Sequence, residues 1–147
     1  MTKQNYSKFL LLFVILFGIV NMFSIHYHLY WRLWWFDIVM HFLGGVWIGS
    51  ATLWVYYLSN RFKNIPENRR CVPYAYGLVV VIMIVIGIFW ELFEFSFDTL
   101  IIFNKLDNWI DTTSDVLFAV IGATIATKYF IYKNYHQESS KPLSFKK

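Results

Sequence analysis

The chain has 147 residues, of which 58% are hydrophobic, 22% are aromatic and only 15% are charged. A soluble domain of this length cannot bury so much apolar surface, so the composition excludes an ordinary soluble globular domain and indicates a membrane protein. The net charge of +4 does not indicate nucleic-acid binding. The basic residues are spread over separate segments, where contact with anionic lipid and membrane orientation explain them.

Four apolar segments are long enough to cross a bilayer, namely 9–25, 36–59, 74–97 and about 111–132. At about 1.5 Å per residue, helices of this length cover most or all of a hydrocarbon core roughly 30 Å thick. Lys3 and Lys8 precede the first segment as in a signal peptide, but residues 21–24 offer no small-x-small cleavage site, so we predict an uncleaved span. The predicted fold is an all-α membrane four-helix bundle.

Basic residues predict the orientation of this bundle. Eleven of the 13 lie in the N-terminus, in the connection between the second and third spans, or at the C-terminal end, and the other two connections hold only Arg32 and Lys105. Lys and Arg are retained on the cytoplasmic side, so residues 1–8 and the polar tail 133–147 are predicted to be cytoplasmic. Residues 26–35, which are rich in Trp and Tyr, are predicted to lie in the outer interface. We expect a multi-pass protein of the bacterial cytoplasmic membrane that contacts lipids, with a homo-oligomer or a membrane-protein partner left open.

Acidic residues concentrate at the opposite ends of the last three spans. Seven of the nine fall there: Asp37, Glu91, Glu94, Asp98, Asp107, Asp111 and Asp115. Helical spacing places Glu91, Glu94 and Asp98 on one stripe of the third span. Asp37 and His41 are one turn apart on the second span, and Asp111 and Asp115 are one turn apart on the fourth.

Each acidic stripe continues along its helix as a stripe of small residues. These are Gly44, Gly45 and Gly49 on the second span, Gly87 on the third, and Ala119, Gly122 and Ala126 on the fourth. Small residues allow membrane helices to approach closely and therefore mark their contact faces. The acidic side chains are accordingly predicted to face the bundle interior rather than lipid.

Such a cluster requires a positive charge or protons. One ionised carboxylate at the bilayer centre costs about 2.5–3.5 kcal/mol, and neighbouring carboxylates also repel one another. Within the spans the chain offers His41 as the histidine and no basic residue in the same turns. A divalent metal ion would compensate the charge, and oxygen donors with one imidazole suit Mg²⁺, Mn²⁺, Zn²⁺ or Fe²⁺ alike.

The predicted metal ligands are His41, Glu91 and Asp115, with Asp111 as a further ligand. Glu94 is the candidate general acid or base, and Asp37 is predicted to orient the His41 imidazole.

Structural alternatives stay open for the same residues. His41 could be a satisfied core histidine, Glu91 and Glu94 a hydrogen-bonded pair, and Asp111 a helix N-cap. Asp98 and Asp107 could lie among solvated head groups.

Two functions fit this pattern. The first is a non-catalytic membrane protein whose cluster binds a cation, either a metal ion or a proton, in transport, sensing or complex assembly. The alternative is a metal-dependent enzyme that acts at the outer leaflet on a lipid head group or a lipid-linked envelope precursor. A third reading is a scaffold in which the polar cluster only specifies helix packing. The sequence alone does not decide whether the protein is an enzyme.

Three blocks, DIVMHFLGG, WELFEFSFD and DTTSDVLFAVIGA, resemble motifs of two groups of small bacterial membrane proteins. The pattern W-E-x-x-E followed by D-x-x-x-D and Gly resembles the YjdF-like family. The same blocks resemble the VanZ-like family less fully, because Glu94 stands where Gln is expected, Ala119 stands where Asn is expected, and an arginine before the paired aspartates is missing. The resemblance covers residues 37–126 and implies a site at Asp37, His41, Glu91, Glu94, Asp111, Asp115 and Gly122.

Overall fold

A computed structural model describes residues 3–59, 61–62, 65, 70–101, 109–136 and 144–145. Its helices are α1 (Lys3–His26), α2 (Leu29–Arg32), α3 (Phe36–Leu53), α4 (Val72–Ile101) and α5 (Trp109–Asn134). α3 continues into a π-helical turn, Trp54–Leu58. There the Ser59 N–H donates to the Trp54 carbonyl at 2.8 Å, five residues earlier rather than the four of an α-helix. Two short strands, β1 (Tyr135–His136) and β2 (Ser144–Phe145), pair antiparallel.

Four of these helices are long and apolar enough to cross a membrane: Gln4–His26, Phe36–Leu58, Val72–Ser96 and Ile110–Lys133. The all-α, four-span prediction is therefore confirmed. Helix α1 begins before the predicted segment 9–25, because the polar residues that precede this segment continue the same helix. The orientation of the bundle stays a prediction.

α3 and α5 form the centre of the bundle and run parallel. A Cβ atom added to Gly45 would overlap the Ala119 carbonyl oxygen, and one added to Gly49 would lie 2.9 Å from the Ala123 Cα atom. A Cβ atom on Gly122 would likewise overlap the Phe42 carbonyl. The two backbones are in direct contact along the small-residue faces, as the spacing of these residues predicted.

α4 and α1 pack around this pair. α4 is antiparallel to α5, and a Cβ atom added to Gly87 of α4 would lie 3.4 Å from the nearest methyl carbon of Val116 on α5. α1 packs antiparallel on α3, where the Trp47 Nε1–H donates to the Leu10 carbonyl at 2.9 Å. α1 makes little contact with α4, so the two helices leave a gap over α3.

The bundle has an apolar half and a polar half. In the apolar half, Leu53, Val79 and Phe130 are fully buried, and the Tyr6 ring meets the edge of Phe130 at 5.4 Å between centroids. At the other half, α3 and α5 begin and α4 approaches its end. Three helix ends carrying the acidic stripes are thereby brought to one level.

The connection between α1 and α3 folds back against this polar half. His28 adopts a left-handed backbone conformation, with φ of 56°, and this turn starts α2. The Tyr30 hydroxyl then donates to Asn21 Oδ1 at 2.7 Å, which ties α2 to the last turns of α1. Trp31 and Trp34 are exposed on the outer side of this connection.

Candidate functional site: a carboxylate and histidine cluster

His41 lies at the centre of the polar half, between carboxylates from two helices. Its Nε2 atom is 3.4 Å from Asp37 Oδ1, one turn earlier on α3. The same nitrogen is 3.9 Å from Asp115 Oδ2 on α5. Three donor atoms, one from each residue, lie within 4.8 Å of one another, a spacing that could hold a metal ion.

α4 contributes a second group around the same histidine. His41, Glu91 and Glu94 also offer three donor atoms within 4.8 Å of one another. Glu91 and Glu94 are three residues apart and so project from one face of α4, which runs antiparallel to the other two helices. Carboxylates from three helices thus converge on one imidazole.

Two carboxylate oxygens in this cluster are buried and have no hydrogen-bond partner among the described residues. They are Asp115 Oδ1 and Glu91 Oε1, and Asp115 is only 3% exposed. A buried unpaired polar atom costs free energy, about 1–3 kcal/mol and more when the group is charged. Among the described residues, these two oxygens therefore have no hydrogen-bond partner that offsets the cost of their burial.

The structure brings five of the predicted site residues together and separates a sixth from them. His41, Asp37, Asp115, Glu91 and Glu94 form the two overlapping groups. Asp111 is exposed and belongs to neither, although its charge acts on both Glu91 and Asp115. The side chain of Asp98 and the whole of Asp107 lie outside the part of the chain that the structure describes.

The observed distances do not distinguish the orienting role predicted for one carboxylate from the ligand role predicted for another. Asp37 was predicted to orient His41, whereas Asp115 was predicted to bind the metal. In the structure both carboxylates approach the same imidazole nitrogen at similar distances. Asp37 and Glu94 are thus positioned as ligands no less than Asp115 and Glu91 are, while the assignment of each role stays a prediction.

A cavity of about 240 Å³ lies beside the cluster, in the gap between α1, α3 and α4. Its walls are mainly apolar and include Val14, Phe17, Met40, Trp47, Ile48, Met83 and Ile86. Its polar lining groups are Asn21, Tyr30, Asp37, His41 and Glu94. Glu91 and Asp115 are not among the lining residues.

Asn21 and Tyr30 are functional candidates that the sequence did not single out. Burial raises the pKa of Tyr30 to about 12, and the negative charges of Asp37 and Glu94 act in the same direction. The phenol therefore stays protonated and keeps its hydrogen bond to Asn21. The signal in the sequence was Asn21 itself, a strongly polar amide inside an otherwise apolar span, whereas Tyr30 looked like one interfacial aromatic among many.

A family comparison agrees with this architecture. Residues 2–136, which include all four spanning helices and the whole cluster, match the family described as predicted membrane protein, DUF2238. The chain belongs to this family. No curated protein and no solved structure matches the chain.

The cluster of this DUF2238 protein offers carboxylate oxygens and one imidazole, without a cysteine thiolate among the described donors. Such a donor set suits Mg²⁺, Mn²⁺, Zn²⁺ or Fe²⁺ rather than thiolate-preferring ions. The arrangement can hold a cation between helices, orient it toward the cavity and exchange protons with a group bound there.

Proposed function

We propose that this DUF2238 protein binds one divalent metal ion in the carboxylate and histidine cluster, and that the bound ion has a non-catalytic role in sensing or assembly. The observation that carries the proposal is the pair of buried, unpartnered oxygens of Asp115 and Glu91 beside His41. A cation bound beside His41 by Asp115 or by Glu91 would supply a partner that these oxygens lack among the described residues.

The rest of the bundle supports retention of the ion rather than its passage. A pathway through the membrane requires polar groups that continue beyond the cluster. Instead, α3 and α5 meet backbone to backbone at Gly45 and Gly49, and the far half is filled by Leu53, Val79 and Phe130. A transport role would need a path made elsewhere, for example between copies of the chain.

The proposed location is the bacterial cytoplasmic membrane, with both termini inside and the cluster near the outer face. The distribution of Lys and Arg along the sequence supports this orientation, and the YjdF-like pattern of the site residues supports the bacterial setting.

The cavity favours a second candidate, a metal-dependent enzyme that acts at the outer leaflet. Glu94 both lines the cavity and belongs to the cluster, so it is placed to move a proton between the metal's surroundings and a bound molecule. In that case the ion would polarise an oxygen of the substrate.

Metal content tests the proposal. The protein, purified in detergent and stripped with a chelator, is dialysed separately against Mn²⁺, Zn²⁺, Fe²⁺ and Mg²⁺, and bound metal is measured by elemental analysis. We expect one ion per chain for at least one metal, with loss of binding in His41→Ala and Asp115→Asn. Asp111→Asn is the matched control, because it removes an exposed carboxylate one turn away on the same helix and should retain the ion.

Substoichiometric metal in the wild type for every ion would overturn the proposal. Equal binding by wild type and His41→Ala would do the same, since it would place the metal elsewhere. A cluster that only exchanges protons would show carboxylates that titrate without any metal bound.

A further inference from the structure

The cavity between α1, α3 and α4 has a shape and a lining that the metal site alone does not require. Its apolar wall runs from Val14 and Phe17 on α1 to Met83 and Ile86 on α4, while Asp37, His41 and Glu94 line its polar part. A pocket built only to hold an ion would need no such hydrocarbon-lined extension.

We propose that this cavity binds a phosphate-headed amphiphile from the bilayer, with one hydrocarbon chain between α1 and α4 and its phosphate on the metal ion of the cluster. The inference rests on the proposed metal site and adds the class of ligand to it. It stands on the position of the cavity, its lining and the charge of its polar end.

The volume and the lining select one hydrocarbon chain. At about 240 Å³, the cavity is somewhat smaller than the roughly 300–1,000 Å³ of pockets that enclose a whole drug-sized ligand. Apolar cavities tend to stay dry and to accept apolar ligands. A second chain of the same lipid would remain in the bilayer.

The route of entry is lateral. α1 packs on α3 through Trp47 and Leu10, but it makes little contact with α4. The cavity lies in the gap between α1 and α4, and both helices expose apolar side chains on their outer faces, such as Leu16 and Phe89. A lipid chain can therefore enter sideways without crossing a polar barrier.

The proposed metal ion selects the head group. None of the described residues that line the cavity is Lys or Arg, whereas Asp37 and Glu94 are acidic. A phosphate would be repelled by these carboxylates unless a divalent cation lay between them. Ions such as Mg²⁺ and Mn²⁺ commonly keep coordination positions for phosphate oxygens, which would face the cavity here. His41 is also only about one and a half helical turns from the start of α3, close to the level of lipid phosphates.

The test uses the full-length protein in a neutral maltoside detergent with the divalent ion that binds most tightly. Thermal unfolding is measured with the metal alone and with the metal plus dodecyl phosphate, inorganic phosphate or dodecylammonium. We expect dodecyl phosphate to raise the unfolding temperature beyond the metal alone, and inorganic phosphate to raise it less because it has no chain. Without metal, dodecyl phosphate should give no shift.

Gly44→Leu would fill the cavity, and it therefore tests binding of the hydrocarbon chain independently of binding of the head group. Gly44 lines the cavity, and a Cβ atom there would meet only the end of the Phe17 ring, at 3.9 Å. This variant should keep the shifts caused by metal and by inorganic phosphate but lose the additional shift from dodecyl phosphate. Gly18→Leu is the matched control, because its Cβ atom would meet nothing within 4 Å, and it should behave as wild type.

Val14→Phe is a second way to fill the same cavity from α1 if Gly44→Leu fails to fold. The inference is overturned if dodecyl phosphate acts equally without metal, if the cavity-filled protein keeps the full shift, or if dodecylammonium stabilises the metal-free protein instead. A metal response without any added effect of dodecyl phosphate overturns this inference alone. The absence of any metal response overturns the proposed function.

Discussion

Asp115 and Asp111 show how much the environment of one carboxylate depends on a single turn of helix. Both lie on α5, four residues apart, yet Asp115 is 3% exposed and Asp111 lies at the surface. Four residues advance a helix by about 6 Å and rotate it by about 40° beyond one turn. That displacement moves a side chain from the edge of the bundle to the contact with His41.

Asp115→Asn should affect the metal-free and the metal-bound protein in opposite ways. Without metal, we expect a free energy of unfolding equal to or above that of wild type, because the substitution replaces a buried carboxylate, one oxygen of which has no hydrogen-bond partner among the described residues, by a neutral amide. At a metal concentration about 100 times the dissociation constant, wild type should gain about 2.7 kcal/mol, whereas the variant should gain almost nothing. Reversible unfolding in mixed micelles, followed by circular dichroism, measures both quantities.

Asp111→Asn serves as the control and should change stability by no more than about 0.5 kcal/mol. A metal-free Asp115→Asn protein that is much less stable than wild type would contradict the prediction. It would mean that the Asp115 carboxylate is held by favourable contacts inside the protein.

Tyr30→Phe should weaken the attachment of α2 to α1. Loss of the hydrogen bond to Asn21 should cost about 1 kcal/mol. The pKa of Tyr30 is raised to about 12, so stability that depends on the protonated phenol is complete below the ordinary value of 10.0 and is lost only as pH rises through about 12. The cost should therefore be the same at about pH 6 and about pH 9.

The same unfolding measurement at the two pH values checks this prediction. Tyr27→Phe is the comparison, since Tyr27 is 53% exposed and removal of its hydroxyl should have little effect. A cost that disappears between the two pH values would show that the phenol titrates far below its expected range.

At the scale of the elements, the α3–α5 pair depends on small residues rather than on interlocking large side chains. Gly45, Gly49 and Gly122 each face the backbone of the other helix. In a bilayer the lipid chains are as apolar as the helices, so close packing must supply the association that the hydrophobic effect supplies in water. The same contact holds His41 of α3 beside Asp115 of α5.

Gly122→Ala should destabilise this pair. The added methyl group would overlap the Phe42 carbonyl, which belongs to the backbone and cannot rotate away. We expect a cost of about 1–3 kcal/mol, the usual range for overpacking a core, and weaker metal binding because α3 and α5 are forced apart. Unfolding in mixed micelles and metal content together check both effects.

Gly77→Ala on α4 is the matched control. A Cβ atom at Gly77 would meet nothing within 4 Å, and alanine is the better helix former. This variant should be as stable as wild type or slightly more stable. Equal behaviour of Gly122→Ala and Gly77→Ala would contradict the close α3–α5 contact.

The sequence predicted these helices well, because the properties that define each one lie within its own segment. Hydrophobic length fixed the four spans, and helical spacing placed the small and acidic residues on common faces before any neighbour was known. The sequence did not predict the π-helical turn at Trp54–Leu58 or the left-handed conformation of His28. Neither has a marker such as glycine or proline, and both depend on how the chain leaves one helix for the next.

At the scale of the whole molecule, the bundle is divided into an apolar half and a polar half. The division agrees with the distribution of charge along the chain, in which basic residues flank one set of helix ends and acidic residues occupy the other. It leaves the cluster and the cavity together at one end of the bundle.

Reporter fusions test the predicted orientation. A reporter that is active only outside the cytoplasm should be inactive when fused after Lys63 and active when fused at Asp107. A complementary reporter that is active only in the cytoplasm should give the opposite pattern. If both reporters show the reverse, the cluster faces the cytoplasm, and the proposed supply of ligand from the outer leaflet fails while the metal site is unaffected.

The sequence by itself determined that four segments are long and apolar enough to cross a membrane, which helix faces carry small residues, and that acidic residues concentrate at one end of the last three segments. These properties follow from hydrophobic length, helical period and charge, which depend only on the order of residues along the chain. Only the tertiary structure decided that His41 lies between Asp37 and Asp115, that Asp111 stays outside, and that α1 and α2 bring Asn21 and Tyr30 to a cavity beside them. Distances between side chains on different helices depend on how each helix is rotated and how closely it packs. Those quantities are set by the contacts of the whole bundle.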